Sequence, residues 1–456
     1  MSLPAAHAMP TGPRLTPPYL DARIPVAVIF NNTESFYPYL ARASDPGLFP
    51  TMYEKGNRAL LWVGDPKLVF ISAPAPHAGY LRQTVGYPGT EYIVPHVPTP
   101  RLCQDILREP PLFERLVDHA GKGKQIQLIP YVTTPDFLNL AERLRESHGL
   151  DVLLPESPSP ESLWIRDQLD TKLGFREAVG AWLGADVLAE GFTCSSQAQA
   201  AEVVQWLLRN GRAAIVKASH SNGGFGHLTF ESASGVGRKV IDRLHDDAFL
   251  EGDALIVEER IDSPGQLFPA IEIYVPDQNK GAPQVTHVCT ELFLDGKVTG
   301  QYVGPELREA GWYAPLCRFG LDIAAHLQAY GYRGIFDVDA VVDQGGGVPL
   351  LEVNTRRTAG THAHEFACFA FGANYAEHLA VVCHNTIPAG SVSSADQLIA
   401  LLSDLLYCAN SSAQGIVITH TACLREAEFG CIVAAPSRAE AIRLEAEMLR
   451  RIRMAE

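Results

Sequence analysis

Hydrophobic and polar positions divide the chain into stretches of different period. Between residues 24 and 154, short apolar runs at 24–31 (IPVAVIFN), 59–63, 68–72, 125–131 (QIQLIPY) and 151–154 predict strands. Apolar residues at helical spacing over 137–147 predict a helix between the last two. Strands alternating with helices predict an open α/β sheet. From 161 to 360 the pattern predicts helices at 162–177, 198–210 and 316–330, and strands at 213–218, 254–261, 271–275, 284–294 and 298–304. Two further strands, 335–342 and 348–353, flank Asp343, Gln344 and three glycines, which predicts a hairpin. Beyond 361, helices at 373–384 and 395–409, strands at 415–424 and 430–435, and a charged amphipathic helix at 438–454 are expected. The predicted fold class is therefore α/β (α+β). Its units are a mobile Pro-rich arm (1–22), an open α/β unit (23–160), a central unit (161–360) and a small C-terminal α/β module (361–456).

The hairpin at 335–353 organises the chemistry. It carries Asp339 on one strand and Glu352 on the other, with Asn354 two residues on. Residues i and i+2 of a strand share a face, so Glu352 and Asn354 point the same way. Carboxylates among apolar strand residues are costly unless something pairs with them. Three oxygen donors on paired strands suit Mg²⁺, which takes a few carboxylates together with phosphates and water. An exposed sheet face with ordinary acids is the alternative for two acids alone. Upstream, Lys217 lies inside a short apolar strand, where a buried ammonium needs an anion. A glycine-rich stretch follows it, with Ser221, Gly223, Gly224, Phe225 and Gly226, whose backbone amides could cradle phosphate oxygens. It is not a GxxxxGK[ST] loop. Lys172 lies in the helix predicted at 162–177. The first strand runs into Asn31, Asn32, Thr33 and Glu34 rather than GxGxxG, so a dinucleotide site is not supported. These four lie at the usual ligand edge of an α/β sheet, but turn and helix-cap roles would use the same residues.

Charge and cysteine content narrow the function classes. With 37 Lys and Arg against 52 Asp and Glu, the net charge of −15 argues against nucleic acid as the main partner. The nine cysteines are scattered without CxxC or Cys/His ligand spacing, which fits a reducing, cytoplasmic compartment. No apolar run is long enough to predict a membrane helix, and the N-terminus lacks an apolar signal core. His362, His364 and Glu365 hint at zinc, but without a third spaced ligand they read as packing or substrate contacts.

The order Lys172, Lys217, Gly loop, Val257-Glu258-Glu259, Asp339, Glu352, Asn354 resembles the ATP-grasp superfamily of carboxylate–amine ligases over about half the chain. The resemblance implies an ATP-grasp fold behind a pre-ATP-grasp domain, with a lid subdomain at about 176–262. It implies ATP and Mg²⁺ as cofactors, with Asp339, Glu352 and Asn354 holding the metal. Lys172, Lys217 and the Gly loop would hold the phosphates. Glu258, Glu259, Arg260, Ile261 and Gln266 would line adenine and ribose, and Glu291 and Arg308 are polar candidates nearby. After the hairpin, Asn354-x-Arg356-x-x-Ala359-Gly360-Thr361 is similar to the pheganomycin-type peptide ligases of peptide antibiotic biosynthesis, with Ala359 where a glycine is common. That likeness implies Arg356 and Lys217 as catalytic residues, with Arg308, Arg356, Gly360 and Thr361 at the substrate. It implies a guanidino amino acid donor, served by an acid such as Glu34 or Glu365, a peptide amine acceptor, ADP formation and a homodimer. A ligase for another small amine or thiol, and a non-catalytic ATP-binding regulator, remain alternatives.

Overall fold

The computed structural model describes residues 13–34, 52–220, 227–231, 238–246, 250, 254–294, 297–409 and 411–455. Four apolar runs of the first unit become β1 (Val26–Ile29), β2 (Lys67–Phe70), β4 (Gln125–Pro130) and β5 (Asp151–Leu153), while β3 (Thr90–Ile93) was not anticipated. They form a parallel sheet in the order β3-β2-β1-β4-β5. Continuous apolar strands suit a sheet covered on both faces. Helices α1 (Leu102–Arg108), α2 (Pro110–Ala120) and α3 (Pro135–His148) bury one face. On the other, Val28, Phe30 and Ile129 join the main core with Trp62 and Tyr131. The run at 59–63, expected as a strand, lies mostly in a 3₁₀ helix, Lys55–Leu61. A short apolar run does not distinguish a strand from a buried helical turn.

Lys67 opens β2 with its ammonium buried, donating to Gly64 O (2.6 Å) and Thr90 Oγ1 (2.9 Å). Burial pushes its pKa down from 10.5 to about 7. A lysine whose folded pKa lies below its unfolded one binds fewer protons when folded between the two values. Its contribution to stability therefore rises with pH across that window, and its penalty is fully present below about pH 7. Lys67→Met is expected to be more stable than wild type near pH 7, by roughly a few kcal/mol. Denaturant unfolding of both proteins should show the gap closing towards about pH 10. A gap that stays constant with pH would contradict this.

The second sheet follows α4 (Leu163–Leu169) and α5 (Lys172–Leu183). These replace the single helix expected at 162–177. The break falls at Asp170 and Thr171, where Thr171 Oγ1 accepts from Gly174 N (2.9 Å) and caps α5. Strands β6 (Gly191–Cys194), β7 (Ala214–Ala218), β8 (His227–Phe230) and β9 (Leu255–Glu259) form an antiparallel sheet ordered β6-β9-β7-β8. It has its own core with α6 (Gln197–Arg209) and α7 (Arg238–His245).

The third sheet contains β10 (Pro269–Val275), β11 (Gln284–Leu294), β12 (Lys297–Val303), β13 (Gly334–Ala340) and β14 (Leu350–Asn354). It continues through β15 (Ala380–Pro388), β16 (Gly415–His420) and β17 (Glu428–Ala435), in the order β14-β13-β10-β11-β12-β15-β17-β16. It thus runs across the boundary expected at 360, and the C-terminal strands extend the central sheet. Residues 380–384 were expected to end a helix begun at 373, but they open β15. Val381, Val382, Thr386 and Ile387 are β-branched and favour the strand observed. The helix here is instead α9 (Thr361–Phe371), followed by α10 (Ala395–Leu401) and α11 (Arg438–Met454). Helix α8 (Tyr313–Ala329) packs Leu316, Ile323 and Leu327 against β10 and β13, where Ile271, Ile273, Phe336 and Val338 are buried. The opposite face of this sheet is polar.

Two features fix the first unit over that polar face. Residues 13–22, expected as part of a mobile arm, are anchored: the backbones of Arg14 and Asp65 form an isolated antiparallel bridge, and Tyr19 stacks on Tyr274 with centroids 3.7 Å apart. Arg357 is fully buried against Trp62, donating to Glu156 (2.8 and 2.6 Å) and Glu365 (3.0 Å). Gly334 has φ +132°, and a Cβ there would meet Glu156 O at 2.4 Å, so a side chain would displace Glu156's backbone.

Candidate active site

On the polar face, Asp339 lies opposite Glu352 and Asp337 opposite Asn354 across β13 and β14. Cross-strand partners share a face, and alternation places Phe336, Val338 and Val353 on the α8 side. Asn354 Nδ2 donates to Asp339 Oδ2 (3.2 Å) and Glu352 Oε1 (3.4 Å). Asp337 was not among the expected ligands. Its signal was the Asp-Val-Asp spacing, which puts two acids on one face.

Burial pushes Asp337 and Asp339 well above the usual carboxylate range, and Asp339 is raised further by Asp337, Glu352 and Glu291. Burial and Glu352 lift Glu291 to about 7. Glu352 goes the other way: burial opposes its charge, but Lys172, ion-paired to it, holds it below the usual range. Asp337 Oδ1 is buried without a hydrogen-bond partner. A divalent cation would relieve this crowding, since a bound cation stabilises carboxylates in their charged form. Among the described residues, no three His, Cys, Asp or Glu side chains form a metal cage.

Of the expected cations, Lys172 reaches these acids from α5, while Lys217 is paired within the second sheet. The break between α4 and α5 puts Lys172 at the start of α5, with its backbone N on Ser219 O (2.9 Å) and its side chain on Glu352. Lys217, buried on β7, pairs with Glu258 of β9 (2.6 Å). Arg176 pairs with the other oxygen of Glu258. Burial alone would raise the pKa of Glu258, but Lys217 and Arg176 together hold it below the usual range. His227 on β8 lies among these groups, its pKa lowered to about 4 by burial and then by Lys217 and Lys172. Sequence reasoning did not reach Arg176 or His227.

Arg356 is buried at the edge of the cluster. Its guanidinium donates to Asn354 Oδ1 (2.5 Å) and Tyr131 Oη (3.3 Å) and lies 3.9 Å from Asp170. Burial opposes its charge, but Tyr131, Asp170, Asp337 and Glu352 outweigh burial. Asp170 also accepts from Thr355 N (3.2 Å), so the turn before α5 and the segment after β14 are joined directly.

Other expected site residues fall elsewhere. Arg308 is exposed, paired with Glu377 (3.1 Å), and takes no part in these contacts. Glu259 turns away from Glu258 and pairs with Arg212 (3.1 Å), while Arg260 pairs with exposed Glu231. Ile261 is half-buried, and Gln266 is exposed in a turn with φ +53°. Gly360 lies under β12: a Cβ there would meet Gln301 Oε1 at 1.8 Å. Thr361 is fully buried, and its hydroxyl donates to Glu272 and accepts from Thr358 N (2.9 Å). Glu272 is a further acid of this face, opposite Asp337 on β10. Ser221, Gly223, Gly224, Phe225 and Gly226 lie outside the described residues.

In the first unit, Asn31 accepts from Tyr131 N (3.1 Å) and Val132 N (3.3 Å), and Thr33 donates to Pro100 O (2.7 Å). Glu34 accepts from Cys103 N (2.7 Å) and Thr134 Oγ1 (2.5 Å). Glu365 accepts from Val63 N (2.7 Å) and pairs with Arg357. Both acids considered for a guanidino substrate are therefore engaged within the chain. His362 neighbours Cys383, and His364 stacks on His287 and reaches Tyr375, so the motif at 362–365 points into three separate environments.

No family model matches the sequence, and neither does any curated protein. Solved structures do match in fold. N5-carboxyaminoimidazole synthase from Aspergillus clavatus, in complex with ADP and 5-aminoimidazole ribonucleotide, is 12% identical with a TM-score of 0.52. The match covers 94% of this chain and 99% of that one. Biotin carboxylase from Campylobacter jejuni, in a complex with a β,γ-ATP ligand, is 13% identical with a TM-score of 0.53, covering 92% and 89%. The biotin carboxylase domain dimer of Hydrogenobacter thermophilus 2-oxoglutarate carboxylase, with MgADP, ADP and bicarbonate, is 13% identical with a TM-score of 0.51, covering 93% and 89%. At these identities the likeness establishes the fold, and the fold is the one expected: ATP-grasp, with mixed parallel and antiparallel sheets.

Proposed function

We propose that the chain is an ATP- and Mg²⁺-dependent ligase that joins a carboxylate to an amine, forming ADP through an acyl phosphate. The observation that carries this reading is the pairing of Asp339 with Glu352 beside Asn354, with Lys172 on Glu352. The solved structures with ADP, an ATP ligand and MgADP support it. Lys172 and Lys217 are paired with Glu352 and Glu258. Phosphates would take over the lysines, freeing Glu352 for a cation and Glu258 for the nucleoside. Mg²⁺, held by Asp339, Glu352 and Asn354, would neutralise charge on the phosphoryl group in transfer.

The donor carboxylate attacks the γ-phosphorus of ATP, and ADP leaves. The acceptor amine then attacks the acyl carbon, phosphate departs, and Arg356 donates to the oxyanion that develops there. Positioning and electrostatics account for the chemistry, so no nucleophilic side chain is needed. Donor and acceptor are read as small acids and as amino acid or peptide amines. Nothing among the described residues supports a guanidino preference. Incubation with ATP, Mg²⁺, a panel of amino and guanidino acids and a peptide pool, with nucleotides resolved and products weighed, tests the reading. ADP with a product one water lighter than its substrates is expected. AMP would overturn it.

A further inference from the structure

Arg58 is buried without a carboxylate partner among the described residues. It lies on the 3₁₀ helix Lys55–Leu61 of the first unit and is 6% exposed. Its Nε donates to Lys55 O (3.1 Å) and its Nη1 to Asn385 Oδ1 on β15 (2.6 Å). Arg58 Nη2 and Asn385 Nδ2 donate to no described residue. A buried guanidinium ordinarily takes a carboxylate. Elsewhere in this protein that holds: Arg357 has Glu156 and Glu365, and Arg176 has Glu258. Two further cations lie near Arg58, and Glu428, the acid that favours the charge of Lys55, makes no ion pair with Arg58 or Lys55 among the described residues. Lys55, half-buried on the same turn, has no carboxylate partner among the described residues, and Arg356 is close enough to disfavour Arg58's charge. Glu54 is taken by Arg425 (2.5 Å). No thiolate substitutes, because burial holds Cys383 and Cys423 protonated, with pKa values of about 12. His420 is fully buried and fixes the Asn385 backbone through Nε2 (2.7 Å).

The place of this cluster points to its use. Arg58 lies 6.0 Å from the Phe30 ring, Phe30 5.0 Å from Tyr131, and Tyr131 5.7 Å from the Arg356 guanidinium. Two aromatic rings thus separate Arg58 from the arginine assigned to the oxyanion. Arg58 comes from the first unit and Asn385 from the third sheet, each with a donor that no described residue accepts.

We propose that Arg58, with Lys55 and Asn385, forms a subsite for an anionic group of the substrate, a carboxylate or a phosphate, remote from the bond being made. The identity of the ligand as substrate rests on the ligase reading; the existence of the anion site does not. A guanidino end of a substrate would be repelled there, so this subsite selects against the cationic donor that the sequence resemblance implied.

The test uses the full chain and two probes, inorganic phosphate and glutarate, titrated at constant ionic strength against chloride and followed by thermal unfolding. One or both probes are expected to raise the wild-type Tm. Arg58→Gln is expected to weaken that response about tenfold or more, as loss of a buried charged hydrogen bond does. Asn385→Asp supplies an internal carboxylate to Arg58. It is expected to raise the Tm without anion and to abolish the response, which decides the matter if Arg58→Gln does not fold. A response to phosphate alone would identify a phosphorylated substrate, and one to glutarate alone a second carboxylate. No response in wild type, or one unchanged in both variants, would overturn the proposal. Mg·ATP serves as a separate probe: its stabilisation should persist in Arg58→Gln. Its absence from wild type would sink the ligase reading while leaving the anion result intact.

Discussion

Glu352→Gln is expected to abolish ADP formation and ligation, by about a thousandfold or more, while the chain stays folded. The substitution keeps the shape of the side chain and removes only its charge. That charge has two roles in the site. It is the one carboxylate of the face held below the usual range, opposite Asp339, and it neutralises Lys172. Removing it deprives a cation of its charged ligand. It leaves Lys172 without its partner but also relieves the repulsion that raises Asp339 and Glu291. Those stability effects oppose one another, so the melting temperature should move little. Single-turnover ADP formation and a thermal melt on the same preparation read both quantities. Full activity in a folded Glu352→Gln protein would remove the metal assignment.

Arg356→Lys is the second large effect. Lysine keeps the positive charge but cannot reproduce a planar fork that contacts Asn354 and Tyr131 beside Asp170. If Arg356 meets the oxyanion, its loss should lower the rate of amide formation by about 10²–10³ with Mg·ATP affinity unchanged. Acyl phosphate would then form and hydrolyse, so ADP release should exceed condensation in the variant. The measurement is the ratio of ADP to condensed product, together with nucleotide affinity. Loss of nucleotide affinity with an unchanged ratio would instead place Arg356 in the nucleotide site.

The hairpin acids were legible because their geometry is local. Glu352 and Asn354 are i and i+2 on one strand, and the glycine turn sets Asp339 opposite. Lys217 was legible as a charge in an apolar strand, and its partner proved to be Glu258 on the neighbouring strand. Asp337 was within reach by the same spacing, two residues before Asp339 on the same strand. Arg58 was not legible, because its significance depends on Asn385, 327 residues away, and on the lack of an ion-paired acid among the described residues. Long-range neighbours leave no periodic trace.

Four strands of the first parallel sheet were readable as continuous apolar runs bounded by polar turns, as suits a sheet covered on both faces. The same rule missed β3, whose short run is partly polar, and failed at 59–63, where the run closes a 3₁₀ helix, and at 380–384, where a strand was read as the end of a helix. The C-terminal strands looked like a separate module because sequence does not reveal which sheet edge a strand joins. In the structure β15 pairs with β12 and carries the sheet onward, which brings Asn385 beneath the first unit.

The claim of an acyl phosphate is tested most directly by following one oxygen atom. The reaction is run with ATP, Mg²⁺ and donor acids labelled with ¹⁸O in their carboxylates, and the phosphate released is weighed. Attack of the carboxylate on the γ-phosphorus predicts one ¹⁸O in each inorganic phosphate formed with product, and none in the nucleotide. Label in AMP, or ligation with unlabelled phosphate, would contradict it.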